Sequence, residues 1–426
     1  MTSVAVGERP LATLEQAREQ ILAGLEPRAI ESVELGDALG RVLAHGISAL
    51  LTLPPWDNSA MDGFAVRATD VTGASRGAPV VLPVAGEVAA GNAPDRDLEA
   101  GTAVRILTGA PVPPGADAVV PVEDTDAPVG TAADGAGTLP ARVAIFSPAA
   151  GGAHIRRAGS DIRIGDELLA LGRRLRPADV ALAAAGGHGE LDVYSRPRVA
   201  VLATGDELVA AGLPLGPAQI PDSNSIGLTA QAVESGAEAR SLGIAGDDLD
   251  TVIARLREAA AWADVVVVSG GVSVGAHDVV KDAFAALGRV ELWRVAVQPG
   301  KPVAFGRTEG ERPALLFGLP GNPVSSFVTF ELFVRPVLRR LAGYADLVGR
   351  TTVRARLSER VRKSVDRRAF LRVRLTGNEA KLASGQGSHV LSGLAWSNAL
   401  AIIPEGVAEL PAGAEVEVLR LDEGGA

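Results

Sequence analysis

The chain has 426 residues, 47% of them hydrophobic, with 51 acidic against 41 basic side chains and a formal net charge of −10. That length exceeds one typical core and points to about two to four domains of roughly 100–200 residues each. The acidic balance disfavours nucleic acid or an anionic membrane as a partner of the whole chain, and the absence of cysteine excludes disulfides, thiolate nucleophiles, iron–sulfur clusters and zinc–cysteine centres.

The N-terminal stretch shows no basic region followed by an apolar core, so no signal peptide is expected. No apolar run approaches the roughly 20 residues that span a bilayer, and the expected compartment is the cytoplasm. Thr13 can cap a helix in which Leu14, Ala17, Ile21 and Leu22 recur at helical spacing and which Gly24 helps to end. From about Leu35 to Ile164 short apolar runs ("VVLPVAG", "TAVRILTGAPVPPGADAVVPVED", "ARVAIF") alternate with Gly, Pro and Asp, the texture of β-structure with tight turns. "RPADVALAAAGG" reads as a short helix, and "YSRPR" as a boundary.

From Arg198 to about Gly343 strands and helices alternate. "RVAVLAT" precedes a helix near Ser225–Ser235, "EARSLGI" one over Leu249–Ala260, and "DVVVVS" one from Asp278; a long helix begins at Pro323. This alternation predicts an α/β sandwich with a largely parallel sheet. Period-two alternation in "TVRARL", "FLRVRL" and "EVEVLRL" predicts a separate small β-domain.

In open α/β sheets ligands bind outside the carboxyl ends of the strands. Three polar loops follow strands directly here: "TGDEL" with Glu207, "SGGVSVGAHD" with Ser269, Gly270, Gly271, Ser273 and Asp278, and "GLPGNP" with Pro320, Gly321, Asn322 and Pro323. "DSNS" with Asp222 leads into a helix and can share that edge. Asp278 can cap its helix, bind a ligand, or do both; Glu207 admits the same two readings. Neither a dinucleotide fingerprint nor a Walker motif is present. Lys301 in "QPGKP" is either solvated or a neutraliser of phosphate. Carboxylates beside phosphate-binding loops imply a divalent cation, and Mg²⁺ takes one or two carboxylates plus water and phosphate oxygens.

In the N-terminal half, "PPWDNSAMDGFAVR" packs Asp57, Asn58, Ser59 and Asp62 beside an apolar strand. "RILTGAPVPPGAD" carries Thr108, and "HIRRAGSDIRIGD" carries Arg156, Arg157 and Asp161. The five histidines lack metal-ligand spacing such as HExxH. The basic run "RARLSERVRKSVDRRAFLRVRL" is expected to be the solvated face of a strand pair, with phosphate binding as the lesser alternative.

In this order, "DNSAMDGFAV", "RILTGAPVP", "GSDI", "TGDEL", "DSNS", "SGGVSVG", "PGKP" and "GLPGNPVS" resemble the MoeA/gephyrin E-domain family, the molybdopterin molybdenumtransferases, from about Leu11 to Leu421. The resemblance implies a multidomain α/β plus β fold. N-terminal mixed α+β lobes would span 11–195, with a β-rich insert at about 50–150; a central three-layer α/β sandwich similar to MogA and MoaB would span 196–345, and a small C-terminal β-domain 346–424. It implies insertion of molybdenum from molybdate into adenylylated molybdopterin with release of AMP, assisted by Mg²⁺. It also implies a homodimer whose site is shared between subunits, with a molybdopterin adenylyltransferase as pathway partner. Carried over by motif, Asp62, Asp161, Glu207 and Asp278 are expected in catalysis, and Glu207, Asp222 and Asp278 on the metal. Thr108, Asp222, Ser269, Gly270, Gly271, Ser273, Lys301, Pro320, Gly321, Asn322 and Pro323 are expected on the substrate. Gln298 stands where many members carry Lys. Two other readings of the chain are an ATP-dependent molybdopterin adenylyltransferase and a non-catalytic binding module.

Overall fold

The structure is a computed structural model and describes residues 11–127, 139–271, 279–310, 312–383 and 385–422. Two compact units are present, one of Met1–His45, Leu171–Arg176 and Glu190–Ala426, the other of Gly46–Ala170 and Pro177–Gly189. The N-terminal region thus enters both units. Its Ile30–Glu34 strand pairs antiparallel with Glu190–Tyr194 in the first.

At the centre of the first unit lies a six-stranded sheet in the order Glu238–Ala245, Arg198–Thr204, Val265–Ser269, Leu315–Leu319, Pro302–Thr308, Gly288–Arg294. The first four strands run parallel, and Pro302–Thr308 runs antiparallel to both of its neighbours. The antiparallel edge differs from a fully parallel sheet for a simple reason. Only a short loop separates Thr308 from Leu315, and a short connection cannot make the crossover that parallel strands need.

The four valines are buried on both faces. Val265 and Val267 join one core with Leu228, Phe317 and Val328; Val266 and Val268 join a second with Leu256, Phe284 and Leu316. Helices therefore cover both sides, which makes the three layers. The N-terminal helix Leu14–Leu22 is closed by a capping box between Thr13 and Gln16, the reciprocal arrangement that satisfies two free N–H groups.

The run that begins at Pro323 is not one regular helix. It is α-helical over Pro323–Thr329, a π-helix over Phe330–Val334 and α-helical again over Arg335–Leu341. Pro336 has no N–H for the Leu332 carbonyl one turn earlier, and its ring crowds that carbonyl. Arg18 Nε donates to the Leu332 oxygen at 2.8 Å instead.

In the C-terminal part of this unit, Arg368–Thr376, Glu379–Leu382, Thr352–Leu357, Glu415–Arg420 and Ala399–Ile403 follow one another, and pairing of the first with the last closes a five-stranded ring. The second unit carries a five-stranded sheet in the order Ala118–Pro121, Gly63–Val66, Ala103–Ile106, Val80–Val88, Arg142–Ile145. Gly63 is needed there, since a Cβ would overlap the Val120 carbonyl on the neighbouring strand. Among the described residues no helix is long and apolar enough to cross a membrane.

Candidate functional site

In the first unit the three polar loops meet at one edge of the central sheet, because the strands that feed them are parallel neighbours. Gly270 N donates to the Leu319 carbonyl at 3.2 Å. Gly270 has φ +102°, and a Cβ there would overlap the Thr204 carbonyl, so the close approach of these loops requires glycine. Asn224 Nδ2 donates to Ser269 Oγ at 2.8 Å and to the Gly321 carbonyl at 2.7 Å, joining "DSNS" to the other two loops. Ser269 Oγ also lies 3.4 Å from Ser326 Oγ. Asn322 stands at the N-cap with extended backbone but makes no side-chain capping bond; Pro323 follows at the first helical position.

Asp222 is buried and accepts from both the amide and the hydroxyl of Ser225. Each carboxylate oxygen keeps a second acceptor site. Ile220 N donates to the Glu207 carbonyl at 2.8 Å and Asp222 N to the Val209 carbonyl at 2.8 Å, so Glu207 and Asp222 flank one short parallel pairing of Leu208–Val209 with Ile220–Pro221. Ser273 and Asp278 lie outside the described residues.

Lys301 immediately precedes the antiparallel Pro302–Thr308 strand beside Leu315–Leu319, at the same sheet edge as Pro320. It lines a cavity of about 470 Å³ with Gln298, Ser325, Arg360, Arg362, Arg367, Arg372, Gln386 and Ser388. No carboxylate is among the described lining residues; Glu409 pairs with Arg360 and Arg362. Arg372 is 1% exposed and donates to the carbonyls of Gly385 and Gly387 at 2.7 and 3.2 Å. Its Nε and Gln298 Oε1 are buried without a partner among the described residues. Burial pulls the Arg372 guanidinium below its ordinary pKa. This narrows the expectation that the basic run is a solvated face: Arg354, Arg360 and Arg362 are exposed, but Arg372, on the face of its strand opposite Leu371 and Val373, is buried against Gly385 and Gly387 and lines the cavity.

Asp247 is a carboxylate that sequence reading misses, because "AGDDLD" reads as a helix start and Asp248 does cap that helix. Its amide donates to Asp206 Oδ1 at 3.1 Å. Partial desolvation, then the carboxylates of Asp206 and Glu207, push the Asp247 carboxyl above its usual range. The described residues contain no group of three His, Asp or Glu side chains arranged to hold a metal. Of the expected ligands, buried Asp222 keeps hard-oxygen acceptor sites of the kind Mg²⁺ takes.

In the second unit, Thr108 N and Oγ1 both donate to Asp62 Oδ1 at 2.7 Å. Asp62 precedes the Gly63–Val66 strand and Thr108 follows the antiparallel Ala103–Ile106 strand, so both stand at one end of the sheet. The Thr108 hydroxyl, then its amide, hold the Asp62 carboxyl below the usual range. Asp161 is exposed, and its amide donates to the Leu53 carbonyl at 3.1 Å.

A molybdopterin molybdenumtransferase 2 of Mycobacterium tuberculosis is 44% identical over 398 residues, covering 92% of this chain and 95% of that protein. The chain belongs to the MoeA family. A molybdopterin molybdenumtransferase of a Nostoc species is 37% identical over 397 residues, 92% of this chain and 88% of the relative. Residues 12–187 match the MoeA N-terminal region (domain I and II), 200–340 the "Probable molybdopterin binding domain" and 354–421 the MoeA C-terminal region (domain IV). Crystal structures of molybdopterin biosynthesis MoeA protein from Pyrococcus horikoshii align with TM-scores of 0.80 and 0.78 at 36% and 29% identity. Both cover 96% of this chain, and 99% and 100% of their own. The multidomain α/β plus β architecture is thus that of MoeA.

Proposed function

We propose that this MoeA-family transferase of molybdenum cofactor biosynthesis inserts molybdenum from molybdate into adenylylated molybdopterin and releases AMP, in the cytoplasm, as a homodimer. A molybdopterin adenylyltransferase supplies its substrate in this reading. The chain divides functionally into 11–195, 196–345 and 346–424. One observation carries the chemistry: a sheet edge where Asn224 joins the segments after two parallel strands at Ser269 and Gly321, beside a cavity lined by Lys301 and four arginines and by no described carboxylate.

The substrates are anionic, and a phosphoanhydride is cleaved. Such a reaction calls for charge neutralisation and positioning rather than a protein nucleophile. Ser269, Gly270, Gly271, Ser273 and the Pro320–Pro323 loop would bind the pterin phosphate. Lys301 and Arg372 would neutralise oxyanion charge within the cavity. Mg²⁺ held by Glu207, Asp222 and Asp278 would supply Lewis-acid charge neutralisation. Asp62, Thr108 and Asp161 would complete the site from a second copy of the chain. The sulfur ligands belong to the pterin, which agrees with a chain without cysteine.

The test is AMP release from adenylylated molybdopterin by the purified protein with Mg²⁺, with and without molybdate. Molybdate-dependent release is expected. Pterin binding without release would replace this reading with a binding module, and pyrophosphate release from ATP and molybdopterin would replace it with an adenylyltransferase.

A further inference from the structure

We propose that Asp57 is a positioning residue, whose carboxylate and carbonyl tie together the segments that carry Asp62, Thr108 and Asp161. The inference rests on the proposed role of those three residues. Asp57 Oδ1 accepts from Ala158 N at 2.8 Å and Oδ2 from Arg157 Nη1 at 2.6 Å. Three residues after Ala158 comes Asp161. The Asp57 carbonyl accepts from Val112 N at 2.9 Å, which anchors the turn that starts at Thr108. Asp57 itself lies five residues before Asp62 on the same strap.

Neighbouring bonds run the same way. Asn58 pairs with Arg156 and bridges Pro111, Gly109 N donates to the Ser59 carbonyl at 2.9 Å, and Gly159 N to the Pro54 carbonyl at 2.9 Å. These are backbone ties; Asp57 adds a side-chain tie from this strap to the residues just before Asp161. Depression of its carboxyl, chiefly by the Ala158 amide and then by Arg157, accords with that geometry. The Arg157 ion pair is 58% and 37% exposed at its two ends, and exposed pairs contribute little. The Ala158 bond is therefore the working part, and an uncharged acceptor can replace the carboxylate.

The experiment compares wild type, Asp57→Ala and Asp57→Asn for molybdate-dependent AMP release, with amide hydrogen exchange of the 157–161 segment read alongside. Small misplacement of a reacting group costs far more in turnover than in binding, so Asp57→Ala should lose about tenfold or more in kcat with KM within about twofold. Asp57→Asn should recover most of that loss. The Ala158 amide should exchange faster in Asp57→Ala and stay protected in Asp57→Asn. A kcat in Asp57→Ala within about twofold of wild type, or a loss that Asp57→Asn fails to recover while Ala158 stays protected, overturns the proposal. An inactive wild type would instead overturn the proposed function, and the exchange data would still report whether Asp57 holds the segment.

Discussion

Asp62 and Thr108 show how much one hydrogen-bonded pair can reveal. Both stood out in sequence as polar residues beside apolar strands, and antiparallel pairing of Gly63–Val66 with Ala103–Ile106 brings them together. A carboxyl held low in the folded state adds stability above its unfolded pKa, near about 3.9. That contribution is lost as pH falls through the lower folded value. Thr108→Val removes the hydroxyl that contributes most to the depression. The Asp62 midpoint should rise toward the ordinary value in a carboxyl-detected NMR titration. Because Asp62 is exposed, the stability difference at neutral pH should be under about 1 kcal/mol, and it should vanish below the folded midpoint. An unchanged midpoint would show that the pair seen here does not hold in solution. Arg372 and Asp247 were not legible in the same way. An arginine in a basic run looks solvated until its register is known, and Asp247 sits beside the Asp that caps the helix, with no local signal to set it apart.

Element by element, the chemistry of single residues explains what sequence could and could not disclose. The Leu14–Leu22 helix was readable because its signals are local, namely Thr13, apolar spacing and Gly24. The Val265–Ser269 strand was readable because an unbroken apolar run fits burial on both faces. The π-helix at Phe330–Val334 was not, because Pro336 does not by itself say whether the helix stops or continues past it; here the Leu332 carbonyl that Pro336 cannot serve accepts from Arg18, 314 residues away in sequence. Arg18→Met should leave that carbonyl without its guanidinium donor and cost about 1–3 kcal/mol by chemical denaturation. In a Pro336→Ala background residue 336 regains an N–H, so the same substitution should cost measurably less. Equal losses in both backgrounds would mean that the proline does not govern the bond.

At the scale of the whole molecule, the first unit is held by charge as well as by its cores. Arg350 bonds Glu234 at 3.0 Å, Glu331 at 2.8 Å and the Leu421 carbonyl at 2.8 Å, linking a core helix, the π-helix and the chain's end. Burial alone would lower its pKa, but Glu331 and Glu234 more than reverse that and hold it above the ordinary value. Arg350→Met would leave buried Glu331 with only Gln231 at 3.2 Å and Arg335 at 3.8 Å, so a loss of about 3 kcal/mol by chemical denaturation, the low end for a broken buried pair, is expected. The proposed homodimer makes a sharper demand. If Asp62 of one copy serves a site built on Asp278 of the other, neither Asp62→Ala nor Asp278→Ala is active alone. Random exchange of equal amounts puts half of the subunits into mixed dimers, and two-fold symmetry gives each mixed dimer one site with both aspartates intact. The mixture should then recover about a quarter of wild-type turnover. A site contained within one subunit predicts none, because every such site in a mixed dimer lacks one aspartate. Mixed dimers verified by mass spectrometry and found inactive would therefore remove the shared site and leave the rest of the assignment to be judged on AMP release.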